Sequence, residues 1–444
     1  MRRILLIGAG RSSPSLIRYF LDNSVAQKWE LTVADVSIES AKQKIGNHPN
    51  GVAKQFDINS EIERVILVSN ADIVISLLPA TMHLSVAIEC VKQKKNLVTA
   101  SYVSEEMNEL NTDAENAGIV LLNECGLDPG IDHMSAMQII DEIKNEGGEI
   151  ISFKSYTGGL VAPESNDNPW GYKFSWNPRN VILAGQGTAR FLENGKYKFI
   201  PYSRLFTNIE TISVGINQQY DGYANRDSLI YRHPYGLEKI PTILRGTLRQ
   251  KGFCKAWNVF VQLGLTDDSY TLDNTTSMTY AQLVEAYLPD KIKGNTILER
   301  LAIFMNTTTE DASIQMVQWT GILGQEKIGM ENCSPAFILQ SLLEKKWLLR
   351  SNDKDMIVMQ HIFEYVLNGK NVKRYSSLIV KGDDSIYTAM AKTVGLPVAI
   401  SAKLILNGDI TIKGVQIPIR SSIYNPVLNE LKNYGVEFEE HIVD

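Results

Sequence analysis

The stretch Arg3-Ile-Leu-Leu-Ile-Gly-Ala-Gly-Arg-Ser-Ser13 decides the fold, because an apolar run of strand length leads directly into a glycine turn. A helix-like stretch from about Pro14 to Asn23 follows, and then a second apolar run, Leu31–Ala34, which ends at Asp35. Strand, glycine turn, helix, strand and carboxylate in this order predict the first half of a dinucleotide-binding fold.

The residues of the turn have separate expected tasks. Gly8 makes the tight turn, and Gly10 lets the backbone approach a pyrophosphate held at the helix N-terminus. Ser13 stands where the fingerprint has its third glycine. We therefore expect Gly8, Gly10, Arg11, Ser12 and Ser13 to bind the cofactor. The alternative is that the glycines serve only a tight strand-to-helix turn.

Asp35 bears on which cofactor is bound. It lies 22 residues after Ser13, close to the spacing of about 20 expected for the acid that accepts a hydrogen bond from the adenosine ribose. A carboxylate there repels a 2′-phosphate, so the sequence predicts NAD. NADP stays possible, because Arg11 or another nearby cation could accommodate the phosphate. A solvated loop acid is the alternative for Asp35.

The strand-helix alternation continues and predicts a doubly wound parallel sheet of the Rossmann type. The expected strands are Arg3–Ile7, Leu31–Ala34, Val52–Gln55, Asp72–Ser76, Asn96–Thr99 and Ile119–Leu122. Ligands bind outside the carboxyl ends of such strands. The segments at that edge are Gly8–Ser13, Leu77–Pro79 and Ala100–Tyr102.

From about Ile150 the pattern changes to that of a second, mixed α/β domain. Strand-like segments such as Ile150–Tyr156 and Ile209–Ile216 are joined by long loops, and residues 279–350 are mostly helical in pattern. A helix of small residues from Thr388 to Leu406 suits close packing against a sheet, so the C-terminus is expected to return to the first domain.

Composition excludes several classes of protein. The net charge is −6 and no basic run occurs, which argues against nucleic acid as a partner. The apolar runs fall short of the roughly 20 residues that cross a bilayer, so no membrane contact is expected. The four cysteines form no CxxC pair and the six histidines are scattered, which favours a cytoplasmic protein without structural metal.

The string Asn123-Glu-Cys-Gly-Leu-Asp-Pro-Gly-Ile-Asp-His-Met134 makes the chain recognisable. With it the chain resembles the glutamate-forming saccharopine dehydrogenase family, also called saccharopine reductases. Further strings carry the resemblance along nearly the whole chain: Ile75–Pro79, Ala100–Ser104, Ser155–Leu160, Ala162–Glu164, Asn168–Pro169, Gly171–Trp176, Asn225–Ser228, Leu244–Arg249, Asp355–Met359 and Ala389–Pro397.

The resemblance implies three parts and a homodimer. Residues 1–130 and 385–444 would form the dinucleotide-binding domain. Residues 131–265 and 351–384 would form the α/β substrate-binding and dimerisation domain, and residues 266–350 a small helical domain.

The resemblance also implies a reaction. Saccharopine is a secondary amine that joins the lysine side chain to the α-carbon of glutamate. Its oxidation at the lysine side gives an imine, which water splits into 2-aminoadipate 6-semialdehyde and L-glutamate. The reverse direction is a reductive condensation in lysine synthesis.

Saccharopine carries three carboxylates, which need cations. Arg226, Arg245 and Arg249 lie in strings that resemble the substrate-binding segments of the family, and guanidinium matches a carboxylate bidentately. By resemblance Thr247 would add a hydroxyl donor. Ion pairing on the surface or between domains is the alternative for the arginines.

Asp128 and Tyr102 are the candidates for handling the amine proton and the water, and both would contact substrate. Asp128 precedes Pro129, which restricts its backbone. An N-cap or Asx-turn acid is the alternative for Asp128, and aromatic packing is the alternative for Tyr102. Asp132 and His133 are expected to cap and pack the helix start, although a catalytic role for His133 stays open.

The remaining cofactor contacts are expected from Leu77, Leu78 and Pro79 and, by resemblance, from Ser101 near the nicotinamide and from Ser175. One departure concerns Thr157, which stands where some family members have cysteine. A thiolate role therefore cannot be transferred to this chain.

Two other functions compete. Related folds reduce imines that lead to carboxynorspermidine or homospermidine, and these would need fewer cations than the Asn225–Ser228 and Leu244–Arg249 strings supply. A regulatory protein that senses NAD(P) without turnover would not need Asp128, Tyr102 and the arginines together.

Overall fold

The computed structural model describes residues 1–215 and 218–443 and divides into two compact units. The first unit comprises Met1–Ile150, Val366–Val372 and Leu378–His441, and the second comprises Ile151–Tyr365, Lys373–Ser377 and the end of the chain from Ile442. The chain therefore leaves the first unit and returns to it.

The N-terminal part of the first unit alternates strands with helices. Its elements are β1 (Arg2–Ile7), α1 (Pro14–Gln27), β2 (Trp29–Asp35), α2 (Ile38–Ile45), β3 (Gly51–Gln55), α3 (Glu61–Ser69), β4 (Ile73–Ser76), α4 (His83–Gln93), β5 (Asn96–Thr99), α5 (Glu105–Glu109), α6 (Asn111–Ala117), β6 (Val120–Leu122) and α7 (Ile131–Asn145).

A long strand opens the second unit, and mixed strands and helices follow it. These elements are β7 (Glu149–Val161), α8 (Pro178–Ile182), β8 (Thr188–Glu193), β9 (Lys196–Pro201), α9 (Tyr202–Leu205), β10 (Ile209–Val214), β11 (Gln218–Ala224), β12 (Thr242–Gln250), α10 (Phe253–Leu263), α11 (Tyr280–Tyr287), α12 (Ile297–Phe304), α13 (Ala312–Trp319), α14 (Pro335–Lys346), β13 (Asp355–Leu367) and β14 (Lys370–Lys381).

The returning chain adds α15 (Ala389–Asn407), β15 (Gly414–Gln416), α16 (Ser421–Leu431) and β16 (Glu439–Val443). Helix α15 is long and apolar enough to cross a membrane, but 78% of its apolar window is buried inside the protein, as in a core helix. Its small residues allow this burial, because they let neighbouring elements approach closely.

The predicted doubly wound sheet is confirmed. Within the described residues its strand order is β15-β6-β5-β4-β1-β2-β3, with parallel pairing throughout. All four residues of β4 are buried, which explains why its first three, Ile73–Ile75, form a continuous apolar run. The order reverses between β1 and β4, and this reversal opens a ligand crevice at their carboxyl ends.

The second predicted feature, a mixed sheet, is also confirmed. In the described part of the chain its order is β10-β11-β12-β7-β13-β14-β16, with the β8–β9 hairpin attached to β12. Strands β12 and β7 are parallel, whereas β11 and β12 are antiparallel. Strand β10 ends at Val214. The sequence placed Ile216 in the same strand, but Ile216 lies outside the described residues.

A glycine lets α15 pack against the start of α1. A Cβ added at Gly395 would lie 2.9 Å from the Ser12 backbone oxygen and 3.2 Å from the Leu16 Cβ. Because Ser12 belongs to the glycine turn after β1, this contact also supports the turn.

We predict that Gly395→Ala destabilises the protein. Alanine in a helix interior normally gains about 0.5–1 kcal/mol over glycine. Overpacking a tight contact costs about 1–3 kcal/mol, so the net effect is a loss of roughly 1–2 kcal/mol. A lower thermal midpoint and weaker cofactor binding are the expected results. A raised midpoint would contradict the close contact.

Candidate active site

The turn after β1 lies against the end of β4. Gly8 has a φ of +104°, and a Cβ added there would lie 2.9 Å from the Leu77 backbone oxygen. The Leu77 amide donates to the Ile7 carbonyl at 2.9 Å. A Cβ at Gly10 would meet no heavy atom within 4 Å. The turn is therefore tight at Gly8 and open at Gly10, as a bound pyrophosphate requires.

Ser13, which stands in place of the third glycine of the fingerprint, bonds back to the glycine turn. Its hydroxyl donates to the Gly10 carbonyl at 2.8 Å, and its amide donates to the same oxygen at 3.2 Å. Ser13 is buried, Ser12 is half-buried and Arg11 is exposed. The hydroxyl thus stabilises the loop that leads into α1.

Asp35 has a task that the sequence did not reveal. Its Oδ2 accepts from the Ala9 amide at 2.6 Å, and its Oδ1 accepts from the Ser37 amide at 2.9 Å. The carboxylate therefore ties the end of β2 to the glycine turn. Each carboxylate oxygen has two lone pairs, so capacity for a ribose hydroxyl remains.

Lys44 of α2 approaches the same turn from outside. Its ammonium donates to the Ala9 carbonyl and, at 3.0 Å, to the Gly10 carbonyl. Burial lowers the pKa of Lys44, and the charge of Asp35 opposes that shift. With the open backbone at Gly10, this arrangement of turn, carboxylate and cation fits a dinucleotide.

The segments after β4 and β5 lie at the same edge of the sheet. Leu77 and Leu78 are half-buried and Pro79 is exposed. Ser101 is half-buried, and its Oγ lies 2.7 Å from Nε2 of His83. His83 was not predicted from the sequence.

Tyr102 and Asp128 come together in the structure. The Tyr102 hydroxyl donates to Asp128 Oδ1 at 3.3 Å. Tyr102 follows β5 and Asp128 follows β6, and these strands are neighbours. Two residues 26 positions apart in the chain therefore meet at the carboxyl edge of the sheet.

The loop that carries Asp128 is fixed by its own backbone. The Gly126 amide donates to the Pro129 carbonyl at 2.9 Å, and the Ile131 amide donates to the Gly126 carbonyl at 2.9 Å. Asp132 Oδ1 accepts from the Gly130 amide at 2.6 Å. This bond links Asp132, in the first turn of α7, to Gly130, the residue that precedes the helix.

A buried side-chain hydrogen bond supports the segment around Tyr102. His133 Nε2 lies 2.7 Å from Glu124 Oε2, and both side chains are almost fully buried. The other oxygen of Glu124 accepts from the Val103 amide at 3.0 Å, and its own amide donates to the Ser101 carbonyl at 3.0 Å. Glu124 therefore bonds the residues on both sides of Tyr102.

The predicted substrate arginines belong to the second unit. The Asn225 amide donates to the Arg245 carbonyl, and the Arg245 amide donates to the Ser228 hydroxyl, each at 2.8 Å. These bonds bring the Arg226 segment beside β12. Arg226 is exposed, whereas Arg245 is buried with its guanidinium 4.4 Å from the Tyr231 ring centroid.

Thr157 lies on strand β7, and Thr247 and Arg249 lie on its neighbour β12. Thr247 is half-buried and pairs in register with Thr157 of β7. Thr157 is buried, and its hydroxyl has no hydrogen-bond partner within the described ranges. Ser175 is also buried. Arg249 lies over the rings of Tyr172 and Phe253, each at 5.4 Å, which explains its burial as packing.

The structure thus gathers the predicted residues into two groups. The glycine turn, Asp35, Leu77–Pro79, Ser101, Tyr102 and Asp128 belong to the first unit, and Ser175, Arg226, Arg245 and Thr247 belong to the second. Sequence reasoning missed Lys44, His83 and Glu124. Only Glu124 gave a signal, because it stands inside the recognisable string that contains Asp128.

Comparison with known proteins identifies the family. Residues 4–122 match the family model of the saccharopine dehydrogenase NADP binding domain, and residues 126–436 match that of the saccharopine dehydrogenase C-terminal domain. The structure of apo saccharopine dehydrogenase (L-Glu forming) from Saccharomyces cerevisiae covers 100% of both chains, with 31% identity and a TM-score of 0.90.

Two curated relatives differ in length. Saccharopine dehydrogenase [NADP(+), L-glutamate-forming] of Pyricularia oryzae is 34% identical, and the match covers 100% of this chain and 99% of the relative. The mitochondrial alpha-aminoadipic semialdehyde synthase of Rattus norvegicus is 36% identical over 98% of this chain. The chain spans about half of that second relative, 47% of its length. The chain belongs to the saccharopine dehydrogenase family.

Proposed function

We propose that this protein is an L-glutamate-forming saccharopine dehydrogenase. It oxidises saccharopine with a nicotinamide cofactor and water to 2-aminoadipate 6-semialdehyde and L-glutamate, or catalyses the reverse. The hydrogen bond between Tyr102 and Asp128 at the carboxyl edge of the first sheet carries the proposal. The fungal relatives that match over their full length carry this activity in their names.

The bound nicotinamide supplies the hydride acceptor. The glycine turn would hold its pyrophosphate, and Asp35 would face the adenosine ribose. Leu77–Pro79, Ser101 and Ser175 would contact the remainder. The names of the family model and of the fungal relatives favour NADP, whereas a carboxylate at Asp35 disfavours a 2′-phosphate.

The substrate would be held by its carboxylates. Arg226 is exposed and Arg245 is partly shielded by Tyr231, so the pair offers one solvated and one desolvated guanidinium. Thr247 follows Arg245 by two residues on β12 and therefore faces the same side of the strand. These residues bind and orient saccharopine so that its reacting carbon faces the nicotinamide.

Asp128 would accept the proton of the secondary amine and, after releasing that proton to solvent, would position the water that attacks the imine. Its carboxylate is suited to both tasks because it accepts hydrogen bonds in its ionised form. Tyr102 would hold the carboxylate in place, and Glu124, which contacts His133, bonds the backbone of Ser101 and Val103 on either side of Tyr102.

We also propose a function for each part of the chain. Residues 1–130 and 385–444 would bind the cofactor, residues 131–265 and 351–384 would bind substrate and a second copy of the chain, and residues 266–350 would form the small helical part. A homodimer is proposed on the resemblance to the family, and a cytoplasmic location on the pattern of cysteines and histidines. The small-molecule substrates follow from the activity.

The direct test is reduction of NADP and of NAD, separately, with saccharopine as substrate. Formation of glutamate and the semialdehyde in equal amounts is the expected result. Release of lysine would mean that the hydride leaves from the glutamate carbon. If neither cofactor is reduced, a panel of other amines and their imines tests the related reductases.

Asp35 is tested by the ratio of kcat/KM for NADP to that for NAD. We predict that Asp35→Asn raises this ratio by roughly tenfold, because the substitution removes the repulsion between the carboxylate and the 2′-phosphate. Two like charges about 4 Å apart repel by about 1 kcal/mol in bulk water and by about 4 kcal/mol near a protein surface. Asp72→Asn is the matched control, since that carboxylate bonds the Arg3 amide at the start of β1. A ratio that moves equally in both variants would refute the role of Asp35.

Asp128 is tested by a change that keeps its shape. Asp128→Asn retains an oxygen for the Tyr102 hydroxyl but removes the base, so kcat should fall by roughly 10²–10⁴-fold. Tyr102→Phe should have a smaller effect, since it removes only the positioning hydroxyl. Asp113→Asn, on the exposed face of α6, is the control. If Asp128→Asn retains near-normal turnover, another group accepts the proton.

A further inference from the structure

His83 joins the ends of two neighbouring strands. Its Nδ1 lies 2.8 Å from Oγ of Ser76, the last residue of β4, and its Nε2 lies 2.7 Å from Oγ of Ser101, just after β5. Oγ1 of Thr99 lies 3.4 Å from both ring nitrogens. The imidazole therefore forms a relay of three side chains across the carboxyl edge of the sheet.

The relay requires a neutral ring. His83 is 4% exposed, and burial lowers its pKa to about 4. A neutral imidazole has one N–H donor and one acceptor nitrogen. Each ring nitrogen has a hydroxyl partner. If one nitrogen donates its hydrogen bond, the other must accept, so the directions of the two hydrogen bonds are coupled. The orientation of the Ser101 hydroxyl thus depends on that of Ser76.

The two ends of the relay differ in exposure. Ser76 is fully buried, whereas Ser101 is half-buried. A clamp that served only to stabilise the sheet would not need its outer hydroxyl at a ligand-accessible edge. Ser101 also immediately precedes Tyr102, which bonds Asp128. The relay consequently fixes the first residue of the segment that reaches the proposed catalytic pair.

We propose that His83 is a positioning residue of the reaction, which acts through Ser101 to orient the nicotinamide end of the cofactor. The inference rests on the proposed function, in which Ser101 contacts the cofactor. The free side of the Ser101 hydroxyl would bond the carboxamide of the nicotinamide, and Ser76 would anchor the ring from the interior.

Two amide substitutions separate this role from packing. The side-chain amide of Asn overlaps Nδ1 of histidine, and that of Gln reaches the place of Nε2. His83→Gln keeps the bond to Ser101 and should retain kcat within about threefold, whereas His83→Asn keeps only the bond to Ser76 and should lower kcat by roughly tenfold, with little change in KM for saccharopine. A purely structural histidine would give equal losses in the two variants.

A double-mutant cycle tests whether His83 acts through Ser101. Ser101→Ala should lower kcat as His83→Asn does, and the double variant should show no further loss. Additive losses would overturn the proposal. If His83→Asn does not fold, Ser76→Ala serves in its place: loss of the anchor lets the ring reorient, so kcat should fall by up to about threefold, and no further loss should appear beside Ser101→Ala.

Ser24→Ala is the matched control for Ser76→Ala. Ser24 is a buried serine of the same unit, near the end of α1, and its hydroxyl donates to the Leu21 carbonyl at 2.6 Å. Its loss should lower the thermal midpoint without changing kcat. Failure of the proposed function is distinguishable, because then the wild-type protein itself would not oxidise saccharopine. An active wild type without coupling between Ser76 or His83 and Ser101 would refute the relay alone.

Discussion

The close approach of the turns that follow β1 and β4 is the constraint on which the candidate site depends. Only glycine fits at position 8, because any Cβ there would lie too close to the Leu77 carbonyl oxygen. The bond between the Leu77 amide and the Ile7 carbonyl then fixes the two strand ends. Since the strand order reverses at this point, the helices on either side diverge and leave a crevice. The predicted cofactor residues of the first unit lie at or just after the carboxyl ends of β1, β2, β4 and β5.

Buried polar groups stabilise the rest of this edge. A buried carboxylate or imidazole is tolerated only when it is paired or hydrogen-bonded. The Glu124 carboxylate satisfies this condition through His133 and the Val103 amide, and His83 satisfies it through two serines. Each of these side chains links the ends of different strands. The loops that carry Ser101, Tyr102 and Asp128 are therefore fixed by polar contacts.

The sequence predicted the first sheet well, for a physical reason. Parallel strands covered on both faces appear as continuous apolar runs, so six of its strands, β1 to β6, were placed within about two residues of their ends. Strand β15 was missed because three residues, Gly414–Gln416, are too short for any periodicity. The meeting of Tyr102 and Asp128 was also predictable, since both follow strands that a doubly wound sheet places at one edge.

The sequence by itself determined the doubly wound fold, the family and the residue types suited to each task. These are properties of local patterns: apolar runs, glycines at fixed spacing, and long matching strings. Only the tertiary structure decided that Asp35 binds the glycine turn, that Lys44 approaches the same turn, and that His83 lies between Ser76 and Ser101. Asp35, Lys44 and His83 make these contacts through their side chains, and most of their partners are distant in the chain. Such contacts depend on how the strands are ordered and packed, which local sequence patterns do not encode.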